Sequence, residues 1–205
     1  NIYVSERESG KLKVLNFRGE GIREINLSKL GRSSISVGRL TLDKSGNLYA
    51  IDGMNQEILA FDMSGNFRFR FGGMGTKEGQ FEMLQDIGVD EDGRIYAVSS
   101  LGTAVQVFDR DGGYLFGFGK HGADEAKLSF PAGIGIDKNK RLWLTDSFQH
   151  SLKVFDHNGK FLFKWGNMGS GNGDFLFPID IDFDSKGNIY VLEKGNSRVQ
   201  VFEEQ

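Results

Sequence analysis

The hydrophobic and polar positions of the chain follow one pattern that recurs along its length. Residues 152–166 read LKVFDHNGKFLFKWG: an apolar run ending in Phe-Asp, a turn with a glycine, and an aromatic run closed by Trp-Gly. The same pattern lies 47 residues earlier as VQVFDRDGGYLFGFG, and 47 residues earlier again as ILAFDMSGNFRFRFG. Self-similarity at a fixed period indicates a repeat protein.

The 47-residue spacing holds in several columns of residues. Three of these columns are Asp43, Asp90, Asp137 and Asp184; Tyr49, Tyr96, Trp143 and Tyr190; and Phe61, Phe108, Phe155 and Phe202. The period divides a single domain, residues 1–205, into a degenerate first repeat, three complete repeats and a partial last one. These repeats cover residues 1–42, 43–89, 90–136, 137–183 and 184–205.

Each period contains four short segments of strand character. In one period they are residues 133–136, 141–145, 152–156 and 161–165. The second and third segments alternate apolar and polar residues, as half-buried strands do, and none has the spacing of three and four that marks a helix. Four antiparallel strands in a unit of about 40 to 50 residues are typical of a β-propeller blade. We therefore predict an all-β propeller of four-stranded antiparallel blades, with the phenylalanine column in the core between blades.

The strand count predicts about four and a half blades. Residues 1–4 (NIYV) match the second strand of a blade, and residues 199–202 (VQVF) match a third strand. The chain thus contains strands two to four of one blade, three whole blades and strands one to three of a fifth, which makes 18 strands. Open sheet edges invite pairing, so we expect a longer chain or another chain to cover both ends.

Three stretches carry a family resemblance. They are FGGMGTKEGQF at 71–81, KWGNMGSGNGDFLFPIDIDFDSKGNIYV at 164–191 and NIYVLEKGNSRVQVFEEQ at 188–205, and all resemble NHL repeats. The resemblance is strong over residues 43–205 and weak over residues 1–42. NHL propellers typically have six blades, so it implies that this chain is part of a six-bladed ring. The motifs are structural, and a fold does not by itself imply a function.

Composition and charge exclude several classes of site. The chain has no cysteine, which excludes disulfides, thiolate metal sites and cysteine nucleophiles. No run of 18 apolar residues is present, so no membrane span is predicted. The net charge is −3, although residues 1–42 hold eight Lys and Arg against four Asp and Glu. Nucleic-acid binding needs clustered basic residues, and the loops mix both signs, so we do not expect a nucleic-acid partner.

The location is inferred from the same composition. The absent cysteine and the absent start methionine fit an exported, processed bacterial protein. We therefore expect a periplasmic or extracellular location, although a cytoplasmic fragment fits the sequence equally well.

The candidate binding residues lie in loops. In propellers the loops between strands two and three, and the loops between blades, lie on one face, and loops on a rigid scaffold often carry function. The candidates in these loops are Asp52, Met54, Asn55, Asp146, Phe148, His150, Asn196 and Arg198. The methionine and phenylalanine side chains suit a protein partner.

Two further candidates open innermost strands. Asp86 and Asp180 occupy one column and are expected at the rim of the central channel. Converging carboxylates suit Ca²⁺, which prefers oxygen ligands, and sugar-lactonase-like propellers use such a site. The other interpretation is that these aspartates cap turns or bind backbone amides. The three histidines, His121, His150 and His157, are dispersed, so no zinc site is expected, and calcium is the one cofactor considered.

Three functions follow from these patterns. The first is a non-enzymatic NHL-type propeller that binds protein or acts as a scaffold, as a subunit of a larger extracytoplasmic assembly. The second is a metal-dependent, lactonase- or lyase-like enzyme with part of its site outside this chain. The third is an RNA-binding NHL domain. The residues present specify no catalytic group and no complete metal site.

Overall fold

The computed structural model describes residues 1–7, 9–31 and 34–203. These residues form five antiparallel sheets, which we call blades 1 to 5 in chain order. Blade 1 contains β1 (Ile2–Glu6), β2 (Lys11–Leu15) and β3 (Gly21–Asn26). Blade 2 contains β4 (Val37–Leu42), β5 (Leu48–Asp52), β6 (Glu57–Phe61) and β7 (Phe67–Gly72). Blade 3 contains β8 (Glu82–Val89), β9 (Ile95–Leu101), β10 (Val105–Phe108) and β11 (Tyr114–Phe118). Blade 4 contains β12 (Pro131–Ile136), β13 (Leu142–Asp146), β14 (Ser151–Phe155) and β15 (Phe161–Trp165), and blade 5 contains β16 (Pro178–Phe183), β17 (Ile189–Glu193) and β18 (Arg198–Phe202).

The predicted all-β propeller is confirmed. The described residues form 18 strands, and within each blade the strands pair in chain order. The observed strand bounds differ most from the predicted ones at the inner strand β12. This strand begins at Pro131, two residues before the predicted start. The cause is a register shift between Pro131 and Gly133. A β-bulge of this kind adds an unpaired residue that hydrophobic alternation does not reveal.

One short helix was not predicted. A 3-10 helix covers Leu27–Leu30, directly after β3. Asn26 caps it, because its side-chain oxygen accepts a hydrogen bond from the Ser28 amide at 3.0 Å. No helix in the described ranges is long and apolar enough to cross a membrane.

The aspartates of the 47-residue register are turn residues. In blade 4, Asp137 Oδ1 accepts hydrogen bonds from the amides of Asn139 at 2.9 Å and Arg141 at 2.8 Å. Its Oδ2 accepts from the indole N–H of Trp143 at 2.9 Å. Asp43, Asp90 and Asp184 make the same pair of backbone contacts in their own blades. The repeat period therefore records a side-chain-stabilised turn that joins the first and second strands of each blade.

The core lies between blades. Phe108 of blade 3 is buried and packs on Phe71 and Phe81, with ring centroids 4.8 and 5.7 Å away. Phe61 and Phe155 are buried at the equivalent positions of blades 2 and 4. Phe202 of blade 5 is partly exposed and packs on Trp165 at 4.5 Å. The predicted role of this column in the core is confirmed.

The inner strands β4, β8, β12 and β16 lie side by side around a central channel. Their backbones approach closely where the inner-strand column of Arg39, Asp86, Gly133 and Asp180 contains glycine. A Cβ placed on Gly133 would lie 2.9 Å from the Cα of Asp180. Glycine at this position therefore allows β12 and β16 to meet backbone to backbone at the rim of the channel.

Candidate binding face and central channel

The loops between strands two and three meet the loops between blades on one side of the propeller, which we call the top face. Asn55 donates a hydrogen bond to the carbonyl oxygen of Ser34 at 3.0 Å, and Asn196 donates to that of Gly169 at 3.0 Å. The turns after the first and third strands, such as the one containing Met63, lie on the opposite or bottom face. All the candidate loops are therefore on one surface.

The predicted polar residue Asp52 lies beneath this surface. Its carboxylate is fully buried and accepts hydrogen bonds from the amides of Ser36 at 3.2 Å and Met54 at 3.1 Å. The Asn55 side-chain amide donates to its second oxygen at 2.6 Å. Asp52 and Asn55 thus join the loop that enters blade 2 to the loop between β5 and β6.

Asp146 does the same in blade 4, together with a lysine. The buried Asp146 carboxylate accepts from the amides of Ser129 at 2.7 Å and Phe130 at 3.0 Å. The Lys153 amine lies 3.7 Å from this carboxylate and donates to the backbone carbonyl of Lys127. Both side chains are fully buried. Acid and amine therefore satisfy the donors and acceptors of the same loop.

Sequence reasoning missed Lys153. Burial lowers the pKa of its amine, and the Asp146 carboxylate opposes that shift. A signal was available, since its column holds Gln106 and Gln200, two polar residues that each lie between two valines of a strand. Gln106 donates to the Gln80 carbonyl at 2.6 Å, and Gln200 donates to the Asp174 carbonyl at 2.8 Å.

In blade 5, Asn196 and Arg198 also form internal contacts. Asn196 donates to Glu193 Oε2 at 2.6 Å, and Arg198 Nε donates to Glu193 Oε1 at 2.7 Å. The Arg198 guanidinium also reaches the carbonyls of Ser170 at 2.8 Å and Gly171 at 2.9 Å. These side chains hold the loop that enters blade 5, so little of their hydrogen-bonding capacity faces outward.

Large apolar side chains, by contrast, are exposed on the top face. They fall into three columns of the repeat register: Met54, Leu101 and Phe148, which are one period apart, and Met74 with Met168 and Met83 with Phe177, which are two periods apart. Met74 and Met168 are each 70% exposed. The apolar members of the predicted set, Met54 and Phe148, therefore belong to a larger group of exposed apolar residues on this face. We call these seven residues the apolar ring.

Several residues of this face are held in specific geometries. Phe148 stacks on Phe130 with centroids 4.6 Å apart. His150 Nδ1 accepts a hydrogen bond from the Phe177 amide at 3.0 Å, and the two rings are 4.6 Å apart. Met83 and Phe177 have φ angles of 58° and 50°, in the left-handed region. Such a conformation costs a non-glycine residue about 1–3 kcal/mol and occurs frequently at binding sites.

The central channel contains the remaining candidates. Arg39 Nη1 lies 2.5 Å from Asp180 Oδ1 and 3.4 Å from Asp86 Oδ2, and its Nη2 donates to the Ile179 carbonyl at 2.8 Å. Arg39 on β4 therefore crosses the channel to β16. The cavity beside this cluster has a volume of about 460 Å³. Tyr3, Ser5, Thr41 and Asp182 line it too.

The two channel aspartates differ in environment. Asp86 is buried and accepts hydrogen bonds from the amides of Ile87 at 2.9 Å and Ile134 at 3.0 Å. Burial raises the pKa of its carboxyl to about 7; Arg39 opposes this shift and Asp180 adds to it.

The Arg39 guanidinium already lies between both carboxylates, where a calcium ion would need to bind. Calcium binding therefore stays a prediction, as does the absence of other cofactors. Within the described ranges, no group of three or more His, Cys, Asp or Glu side chains is placed to hold a metal ion.

A family model described as a 6-bladed beta-propeller matches residues 123–203. Comparison with curated proteins found no match.

Solved structures resemble the whole chain. A streptogramin B lyase is 15% identical with a TM-score of 0.70, and an inactive variant of virginiamycin B lyase from Staphylococcus aureus, solved with quinupristin, is 14% identical with a TM-score of 0.71. Both matches cover 98% of this chain, which spans 64% and 66% of the lengths of those two proteins. A chain of a nidogen/laminin complex is 15% identical with a TM-score of 0.70, over 98% of this chain and 70% of that one. The likeness is one of fold.

Lys153 provides a test of the loop support in blade 4. Lys153→Leu leaves the buried Asp146 carboxylate without its cation and removes one of the two donors to the Lys127 carbonyl, which also accepts from Gln149, so we expect a loss of about 3–5 kcal/mol in the free energy of unfolding. Lys153→Gln is expected to lose much less, because Gln106 and Gln200 make equivalent backbone contacts. Urea denaturation of both variants measures the difference. No loss of stability in Lys153→Leu would show that the lysine contact does not support the loop.

Asp86 provides a test of the channel electrostatics. Its native pKa of about 7 lies above the usual value of 3.8, so the folded state binds more protons than the unfolded state between those pH values. The free energy of unfolding should therefore decrease as pH rises through this window, by an amount on the order of 3 kcal/mol. Urea denaturation at several pH values should show a shallower decrease for Asp86→Asn than for the wild type. The exposed channel residue Asp182, changed to Asn, is the control. An unchanged slope in Asp86→Asn would contradict the raised pKa.

Proposed function

We propose that this chain is a non-enzymatic NHL-type propeller that binds a partner protein through its top face. The observation that carries the proposal is the apolar ring, which combines exposed methionine, leucine and phenylalanine side chains on one face. Aromatic residues and methionine are enriched in protein–protein interfaces, and large exposed apolar patches mark interaction sites. The NHL assignment rests on the repeat motifs, whereas the family model supports a six-bladed propeller.

The loops that present the apolar ring suit a binding function. Asp52, Asp146 and Glu193 hold the backbone of these loops from below. A surface that is ordered before binding loses little conformational entropy when a partner docks. Methionine side chains can also adapt their shape to a partner, since they are unbranched and polarizable. The arrangement combines a fixed backbone with adaptable side chains.

A second candidate function concerns the channel. The observation that favours it is the buried Asp86 carboxyl, with a pKa of about 7, beside a cavity of about 460 Å³. A group that titrates near neutral pH in a cleft is a candidate acid or base. Two similar structures are named as lyases, so a lyase-like reaction belongs to this second hypothesis. We favour binding because Arg39 already pairs with both channel carboxylates. The extracytoplasmic location and the larger assembly stay predictions.

Site-specific photo-crosslinking in the native cell tests the first proposal. We place p-benzoylphenylalanine at Phe148 or Met74 on the top face, with Met63 as the control. Met63 is 67% exposed but lies in a bottom-face turn. We expect the same discrete protein partner to crosslink from both top-face positions and not from Met63. We also expect Met168→Glu to reduce crosslinking from Met74, because a charge is costly in a dry interface.

Two outcomes would contradict the proposal. One is equal crosslinking from Met63 and from the top-face positions, which would indicate nonspecific contact. The other is no crosslinked protein from either top-face position in cells that make the protein at its normal level.

A further inference from the structure

In blades 4 and 5 an acidic residue and a polar donor, seven residues apart, hold the loop that enters the blade. We call this pair a loop clamp. In blade 4 it is Asp146 with Lys153, and in blade 5 it is Glu193 with Gln200. The acid accepts loop amides, as Glu193 does from Leu176 at 2.8 Å. The donor binds loop carbonyls, as Lys153 and Gln200 do.

Blade 1 contains a clamp of the same design. Glu6 is the last residue of β1, as Asp146 is of β13, and Lys13 is the third residue of β2, as Lys153 is of β14. The two pairs have the same spacing in sequence. Glu6 and Lys13 form an ion pair, but their side chains are 36% and 39% exposed, whereas those of Asp146 and Lys153 are fully buried. The clamp of blade 1 therefore lies uncovered.

The edge of β1 is open beside this clamp. In blade 4 the equivalent strand β13 pairs with β12 on one side and β14 on the other. Among the described pairings, β1 pairs with β2 alone. Its residues Tyr3, Val4 and Ser5 border the channel, a position that the inner strands hold in the other blades. Ile2 and Val4 add exposed apolar side chains to this edge.

We infer that Glu6, Lys13 and the edge of β1 together bind a blade-entering loop and the inner strand that follows it, a segment that completes blade 1. The loop amides donate to Glu6, the loop carbonyls accept from Lys13, and the apolar strand that follows pairs antiparallel with β1. The charge pattern fits this occupant because an acid and a donor at the same two positions hold such a segment in blades 4 and 5. A second copy of this chain fits less well, since the loops that enter blades 4 and 5 are already held by clamps of their own.

A synthetic peptide of residues 120–136, KHGADEAKLSFPAGIGI, is a direct probe. It contains the loop and the inner strand that the Asp146–Lys153 clamp holds. We expect saturable one-to-one binding to the 205-residue chain, measured by isothermal titration calorimetry. A scrambled peptide of the same composition should not bind.

Variants of the clamp make the test specific. Lys13→Leu and Glu6→Ala should each weaken peptide binding at least tenfold. Lys13→Gln should retain binding, because glutamine serves as the donor in blade 5. Lys11→Leu is the matched control: it removes a neighbouring lysine of β2 that pairs with Glu24 instead. Circular dichroism of each variant checks that the fold is retained.

Three outcomes would overturn the inference. The first is no saturable binding of the peptide. The second is binding that Lys13→Leu and Glu6→Ala leave unchanged. The third is a stable dimer of the 205-residue chain that Lys13→Leu dissociates, which would identify a second copy as the occupant. None of these outcomes bears on the top-face proposal, which concerns other residues.

Discussion

The top face depends on polar side chains that are buried beneath its loops. A buried carboxylate or amine is stable only when it is paired and hydrogen-bonded. The backbone groups of a loop have the same need once they are covered. Asp146 and Lys153 meet both needs at once, because their charges face each other and their remaining capacity is taken by the loop that enters blade 4. The loops are therefore fixed from below, without long secondary structure of their own.

This arrangement determines which side chains are left for a partner. Polar residues such as Asp52 and Arg198 use their hydrogen bonds inside the protein. The exposed positions of the same loops carry Met54, Met74 and Phe148. The top face therefore presents large apolar side chains beside charged loop residues such as Lys77, Glu78 and Glu125, and the apolar side chains favour a protein surface as the ligand. The channel offers the opposite chemistry, since Arg39 and two carboxylates meet there in a polar cluster.

The fold could be predicted from the sequence because its determinants are local. Asp137 and its equivalents form turns with amides two and four residues away, and alternation specifies the strands between those turns. The features that were missed arise from contacts between distant residues. Burial of Lys153 depends on a loop about 25 residues earlier, and Arg39 meets Asp180 on the opposite side of the ring. The 47-residue period places Arg39 and Asp180 in one column and Lys153 in the column of Gln106 and Gln200, but it does not show which partner each side chain meets. Residue type alone also did not separate loop residues that face inward, such as Asp146, from those that face outward, such as Phe148.

Hydrogen exchange at individual amides measures the central claim most directly. The Ser129 and Phe130 amides lie in a blade-linking loop, yet they donate to the buried carboxylate of Asp146. If the buried side chains hold the top face, NMR-detected exchange of these two amides will be as slow as that of amides within β14. Exchange at the rate of an unstructured peptide would mean that the loop opens freely, and the account of a preordered top face would be wrong.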